Sequence, residues 1–179
     1  MKRTLCHIAA RLTVLIIGSA VFALGGCTTS KGEGFAIYLT KIDVSPAQMP
    51  ALSYVDIADH PIVATSDIVT YDAKTHEIAL TKGAYERISS LTVPVTGKSF
   101  VVCVDGNPIY GGAFWTLFSS ASFDGVIIMK PLSLQDTKPQ DANVVKLELG
   151  YPSLSFYRGE DPRTDAQVMK SLEQAGTLK

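Results

Sequence analysis

From residue 35 onward, apolar positions recur with two different periods, and the changes of period mark out the elements. Phe35 to Thr40 predicts a first strand. Asp43 to Pro61 is rich in turn residues: Ser45-Pro46, Met49-Pro50 and His60-Pro61. A short helical turn is expected after Ser45, with Ser as its cap and Pro in first position. Ile68–Tyr71 and His76–Leu80 flank Asp72-Ala73-Lys74-Thr75 and predict a hairpin. Ile78 and Leu80 alternate with Glu77 and Ala79, so that hairpin has one wet face. After Thr81 the period lengthens. Ala84, Tyr85, Ile88 and Leu91 fall on one helical face, which predicts a helix capped by Thr81 and running to about Leu91.

The period then returns to two. Ser99–Val104 is an apolar strand, Asp105-Gly106-Asn107 a turn, and Pro108–Phe118 the return. Gly125–Met129 and Val144–Leu149 read as further strands around a polar loop from Pro131 to Asn143. A closing helix is expected with Asp161 as N-cap, Pro162 at its first position and Gly176 just past its end. Ala166, Met169 and Leu172 give that helix a narrow apolar stripe, suited to packing on one side. No internal repeat is visible. The order of elements predicts an α+β fold, a mostly antiparallel sheet with two main helices packed on it.

The first 26 residues follow a different logic. Lys2, Arg3 and Arg11 precede an apolar run from Leu12 to Leu24, too short for a span of about 20 residues. The run ends in Leu24-Gly25-Gly26-Cys27, which resembles the lipobox of bacterial lipoproteins. The resemblance implies that residues 1–26 are a signal peptide removed after export. Cys27 would then be lipidated, and residues 27–34 would be a flexible tether. Residues 35–179 are expected to form a single domain held to a membrane outside the cytoplasm. Since Thr28 and not Asp follows the cysteine, the outer membrane is implied if the source has two membranes. Acyl chains contribute about 0.8 kcal/mol per buried methylene, and stable attachment needs more than one chain.

Cleavage changes the charge. Removing Lys2, Arg3 and Arg11 leaves 13 basic residues against 17 acidic ones, a net charge near −4. No basic patch is seen, which argues against nucleic acid as a partner. Cys103 would be the one remaining thiol, set in Val101-Val102-Cys103-Val104, where it reads as a small buried hydrophobe.

Motifs for chemistry are sparse. Gly97-Lys98-Ser99 ends like a phosphate-binding loop, but Thr92 stands where the first Gly is required and a strand follows instead of a helix. Only His60 and His76 survive cleavage, and no Cys pair or His-Glu-x-x-His occurs, so neither metal nor cofactor is expected. The carboxylates Asp72, Glu77, Glu160 and Asp161 are scattered singly in turns or on wet faces, and no Gly-x-Ser-x-Gly elbow is present.

The central block carries a second likeness. A helix is followed by Pro94-Val95-Thr96-Gly97-Lys98, then Phe100-Val101-Val102-Cys103-Val104-Asp105-Gly106-Asn107-Pro108-Ile109-Tyr110, and later by Phe123-Asp124-Gly125-Val126-Ile127-Ile128. This resembles the head of the first periplasmic domain of the SecD and SecDF protein-export subunits, over roughly residues 35–130. The chain departs from that family in lacking its transmembrane helices, and in carrying Gly111-Gly112-Ala113-Phe114-Trp115 where a Ser-Ala-Pro run is usual. The resemblance implies an α+β domain outside the cytoplasmic membrane, and hints at contact with unfolded polypeptide.

Two stretches are candidates for binding. Gly111 to Ser120 holds the single Trp beside Phe114 and Phe118. It reads either as core packing with a bulge at the glycines or as an apolar groove or edge for an extended peptide. Tyr151 to Asp161 holds Tyr157 and Arg158, residue types enriched at interfaces, although loop aromatics also serve to pin a loop to its core. Together these features predict a non-enzymatic, lipid-anchored binding module for a polypeptide or envelope protein. The alternative is an envelope hydrolase whose carboxylates are assembled only by the fold.

Overall fold

The computed structural model describes residues 33–131 and 143–179. Cys27, the signal segment and most of the tether lie outside the described residues, as does most of the Pro131–Asn143 loop.

Seven strands form one mixed sheet, giving an α+β fold. The strands are β1 (Phe35–Leu39), β2 (Ile68–Tyr71), β3 (Glu77–Leu80), β4 (Lys98–Val104), β5 (Asn107–Trp115), β6 (Phe123–Met129) and β7 (Val144–Tyr151). Their order in the sheet is β1-β4-β5-β6-β7-β3-β2. All pairs are antiparallel except β5 and β6, which run parallel. The helices are α1 (Lys82–Ser89) and α2 (Ala166–Gln174).

Alternation assigns the two faces. Phe35 and Ile37, Phe100 and Val102, Phe114, Val126 and Ile128, Val145 and Leu147, Ile78 and Leu80, Ile68 and Tyr71 share one buried cluster drawn from all seven strands. Ala84 and Ile88 of α1 and Val168 and Leu172 of α2 belong to the same cluster. The sheet is curled enough for its two outermost strands to approach: the rings of Phe35 on β1 and Tyr71 on β2 stand 6.4 Å apart. The opposite face is covered in two places. Met49, Leu52, Val55 and Ile57 lie over Ala36, Tyr38, Val101 and Cys103. Farther across, Ala113, Trp115 and Ile127 form a cluster with Phe123, Met129 and Tyr151.

Neither sheet edge is left bare. Along β1, Val63 and Ile57 make bridges to Ile37 and Thr40. Along β2, Tyr71 exchanges main-chain hydrogen bonds with Thr177 and Lys179. These short covers remove open ladder groups that would otherwise pair with other chains.

Several local expectations are met. Thr81 caps α1, its hydroxyl accepting from the Ala84 amide. Asp105 and Gly106 take φ of 51° and 78°, the left-handed pair that a two-residue hairpin turn needs. Three expectations need correction. Asp161 and Pro162 open only a 3-10 turn, Pro162–Thr164, and the helix starts four residues later with Asp165 accepting from the Gln167 and Val168 amides. The buried face of α2 is accordingly Val168, Ser171 and Leu172, and Ala166 is exposed. The irregularity in β5 falls at Ile109, between the Val102↔Tyr110 and Cys103↔Pro108 pairs, and not at the glycines. Gly112 instead makes room for the Phe100 ring, which a Cβ there would meet at 2.4 Å.

Candidate functional site

The connection from β5 to β6 leaves two neighbouring large apolar side chains exposed. Parallel neighbours are usually joined by a dozen or more residues, commonly including a helix. Here only seven, 116–122, make the crossover. Return strand β5 therefore ends at Trp115, not Phe118, and the chain turns at once: the Ser119 amide donates to the Thr116 carbonyl at 3.1 Å. Leu117 and Phe118 occupy the two central positions of this turn. They are 58% and 78% exposed.

Ser119 holds the turn in place. It is buried, and its hydroxyl donates to the Val95 carbonyl at 2.6 Å while accepting from the Ala121 amide at 3.2 Å. The Tyr151 hydroxyl reaches the Ser119 carbonyl at 3.4 Å. Val95 is itself exposed beside the turn. The two large apolar side chains are thus displayed on a fixed backbone.

Next to the turn, the outer face of β6 and β7 carries a cavity of about 370 Å³. Ile127, Met129 and Tyr151 form its apolar part, Leu117 and the exposed Leu154 overhang it, and Lys146, Glu148 and Arg163 supply charge. That volume is at the small end of the range for ligand or side-chain pockets. The two stretches singled out in the sequence, around Trp115 and after Tyr151, therefore meet at one place. The Trp115 and Tyr151 rings are 5.7 Å apart.

The individual residues are placed unequally. Phe114 is wholly buried in the main core, 5.2 Å from the Phe100 ring. Trp115 points to the other face and is also buried, stacked on Phe123 at 5.3 Å. Gly97, with φ of 82°, lies against its indole: a Cβ there would come within 2.3 Å of the ring. Phe118 is the exposed member of the set. The Arg158 guanidinium donates to the Ser155 and Tyr157 carbonyls, binding its own loop together. Neither Tyr157 nor Arg158 lines the cavity. Leu117, Leu154 and Arg163 were not among the candidates. Leu117 and Leu154 lie inside the two candidate stretches, whereas nothing local marks Arg163.

Behind the cavity a polar group runs from the exposed Asp161 through the half-buried Arg163 to the buried Tyr71 and His76. Arg163 pairs with Asp161 through Nε at 2.9 Å and Nη2 at 2.7 Å, and its Nη1 donates to the Leu147 carbonyl at 2.8 Å. Hydrogen bonds from Arg163 hold the Asp161 carboxyl below its usual range. The Tyr71 hydroxyl lies 3.1 Å from His76 Nδ1 and 3.3 Å from the Arg163 carbonyl oxygen. Burial, then the Arg163 charge, pushes the His76 pKa down. Burial raises the Tyr71 hydroxyl, so both groups are neutral near pH 7. Tyr71 is fully buried and faces the core, so of this group only Arg163 reaches the cavity.

Cys103 is buried under Met49 to Ile57, and burial pushes its thiol up to about 11, the behaviour of a packing residue. Among the described residues, no three His, Cys, Asp or Glu side chains are grouped to hold a metal ion, and no helix is long and apolar enough to cross a membrane. No protein-family model, curated protein or solved structure matches the chain.

Proposed function

We propose that the chain is a lipoprotein anchored through Cys27 outside the cytoplasm. Its single exported domain, with α1 and α2 packed on the curled sheet, would serve as a non-enzymatic binding module for a polypeptide or envelope protein. The supporting observation is the Leu117–Phe118 turn. Two large apolar side chains held out by a buried serine carry a continuing hydration cost, and such patches commonly mark interaction sites. Because the turn is already fixed, a partner would meet a pre-ordered surface and little ordering entropy would be lost on binding.

Strand register supports the anchor's part in this reading. Gly34 lies at the Asp105 end of β4, where its amide donates to the Asp105 carboxylate. The turn lies past Phe114, which pairs with Lys98 at the other end of that strand. Six residue steps separate those ends, about 20 Å at 3.3 Å per step. A tether entering at Gly34 would join the domain at the end of β4 opposite the apolar turn, which leaves the turn free of the attachment point. The likeness of residues 35–130 to the SecD head is consistent with a polypeptide as the partner.

Two variants test the reading. Cys27→Ser should leave the domain folded and release it from membranes; retention after a carbonate wash would overturn the anchor. Leu117→Ser/Phe118→Ser should keep the fold and the membrane attachment but lose co-purification of the partner held by the wild type. Undiminished co-purification would remove the turn from the interface.

A further inference from the structure

The outermost edges of the sheet are covered, but one position inside it is not. Successive residues of β7 turn their main-chain groups alternately to β6 and to β3. Val145 pairs with Ile78, and the Leu147 amide donates to the His76 carbonyl at 3.0 Å, so the odd-numbered residues face β3. β3 starts only at Glu77, because the chain before it turns away through residues 72–75. The pairing of β7 with β6 continues beyond that point, through Glu148 and Leu149 to Tyr151. Leu149 therefore faces a side of β7 on which β3 has stopped. Among the described residues, neither its amide nor its carbonyl has a hydrogen-bond partner. The Leu147 carbonyl is taken by Arg163 Nη1 at 2.8 Å. The open edge is thus one residue long, stopped on one side by Arg163 and on the other by Gly150, whose φ of 71° turns the strand out of its pleat.

The cavity reaches this edge, since Leu149 and Arg163 both line it. The Leu149 side chain packs against the main core, so the part it offers to the cavity is its main chain. An unpaired donor and acceptor are thereby set beside the apolar walls Ile127 and Met129 and the overhanging Leu117 and Leu154. One residue of an extended chain answers both groups at once, by exchanging two hydrogen bonds with Leu149. The protein uses bridges of that length on its outer edges, where Val63 bridges Ile37 and Leu178 bridges Tyr71.

We propose that Leu149 is a strand-addition point: an extended stretch of the partner polypeptide pairs with it through one residue, antiparallel, and lays the two neighbouring side chains on the cavity. The proposal rests on reading the cavity and its neighbouring turn as the partner site, and it names what that site takes. Pairing sets the faces. The paired residue shares the face of Leu149, and its two neighbours share the face of Glu148. The residue after it stands opposite Glu148, a carboxylate with no ion-pair partner among the described residues, so a basic side chain fits there. The residue before it lies toward Tyr151 and Leu154, where an apolar side chain fits. The stretch taken is then apolar, any, basic, with the two recognised positions separated by the strand's own period.

Two measurements on the purified Cys27→Ser protein test this. Amide exchange comes first. The Leu149 amide should exchange at least about tenfold faster than that of Glu148, which pairs with Ile127 inside the sheet. Comparable protection of the two would show the edge closed and overturn the proposal. The second is a titration with a blocked heptapeptide, Ser-Gly-Leu-Ser-Lys-Gly-Ser, followed by amide chemical shifts. The Leu149 resonance should shift and gain protection as the peptide saturates it. Methylating the amide nitrogen of the central Ser removes the donor to the Leu149 carbonyl and should weaken binding about tenfold. Leu149→Pro removes the free amide without touching the ladder to β6 and should weaken the unmethylated peptide to a similar degree. Should that variant not fold, the peptide pair on the Leu149 protein decides. Equal binding of the two peptides, shifts confined to 117–118, or no saturable shift would overturn the proposal. Partner co-purification is a separate arm. A peptide bound as described, with co-purification undiminished in Leu117→Ser/Phe118→Ser, would leave the edge standing and remove the turn from the interface. Co-purification lost in that variant, with no peptide bound at Leu149, would remove the edge and leave the turn standing.

Discussion

Phe114 and Phe118 differ by four positions and by nearly the whole range of burial, and a pair of substitutions should separate their roles. Phe114 has no exposure and packs on Phe100. Burying a Phe removes roughly 150–200 Å² from water, worth about 4–5 kcal/mol at ~25 cal/mol per Å². That agrees with the ~3–5 kcal/mol typical of Phe→Ala in cores. Phe114→Ala should thus consume a large share of the ~5–15 kcal/mol that stabilises an average domain, and lower Tm by about 10 °C or more. Phe118 is 78% exposed, so Phe118→Ser should change stability by about 0.5 kcal/mol or less. Urea unfolding followed by far-UV circular dichroism measures both. A cost above ~2 kcal/mol for Phe118→Ser would mean that the turn is a packed element and not a displayed one. A cost below ~1 kcal/mol for Phe114→Ala would contradict the core assignment.

Three further outcomes are expected. Gly97→Ala introduces a Cβ 2.3 Å from the Trp115 ring at φ of 82°, combining left-handed strain with overpacking; a loss of about 2–4 kcal/mol and a change in Trp115 fluorescence should follow. Ser119→Ala leaves the Val95 carbonyl and the Ala121 amide without their side-chain partner, for about 1–3 kcal/mol, and amide exchange should show residues 116–122 loosened ahead of the core. Since the folded-state pKa of His76 is lowered, the unfolded chain binds its proton first. Stability should be level between about pH 6.5 and 8 and fall below that range, by no more than about 1.4 kcal/mol per pH unit, with the loss from Asp161 beginning only below about pH 4; above about pH 8.5 the raised Cys103 thiol makes it fall again. Stability that rises on acidification through pH 6 would reverse that sign.

Locally encoded features could be read directly from the residues. The hairpin, the Thr81 cap and the Asp105-Gly106 turn each depend on partners close along the chain, and each is present, although His76 stands in the hairpin turn with φ of 57° and the return strand begins only at Glu77. The start of α2 was misplaced because two capping aspartates lie four residues apart, and the Asp161-Pro162 pair is used for a 3-10 turn. The sheet order was not legible. It pairs Phe35 with Val104 and Glu77 with Lys146, contacts between residues far apart along the chain. The candidate site was half legible for a related reason. Phe114 and Trp115 alternate in and out, and alternation alone would expose one of them. Both are buried because the outer face is covered too, by Pro46 to Ile57 and by the crossover. Phe118 lies outside that cover because β5 stops three residues early, a consequence of the short parallel crossover that a reading of β5 as a simple return strand does not contain.

The central claim is that the anchored domain offers its Leu117–Phe118 turn to a partner. A photoreactive residue placed at position 118 in intact cells, compared with one at position 54, tests it most directly. Tyr54 is 81% exposed and belongs to the Pro46 to Ile57 cover, a different segment from the turn. The account predicts a discrete protein adduct from position 118 and none of comparable yield from position 54. Equal labelling from both positions, or no adduct from position 118, would contradict it.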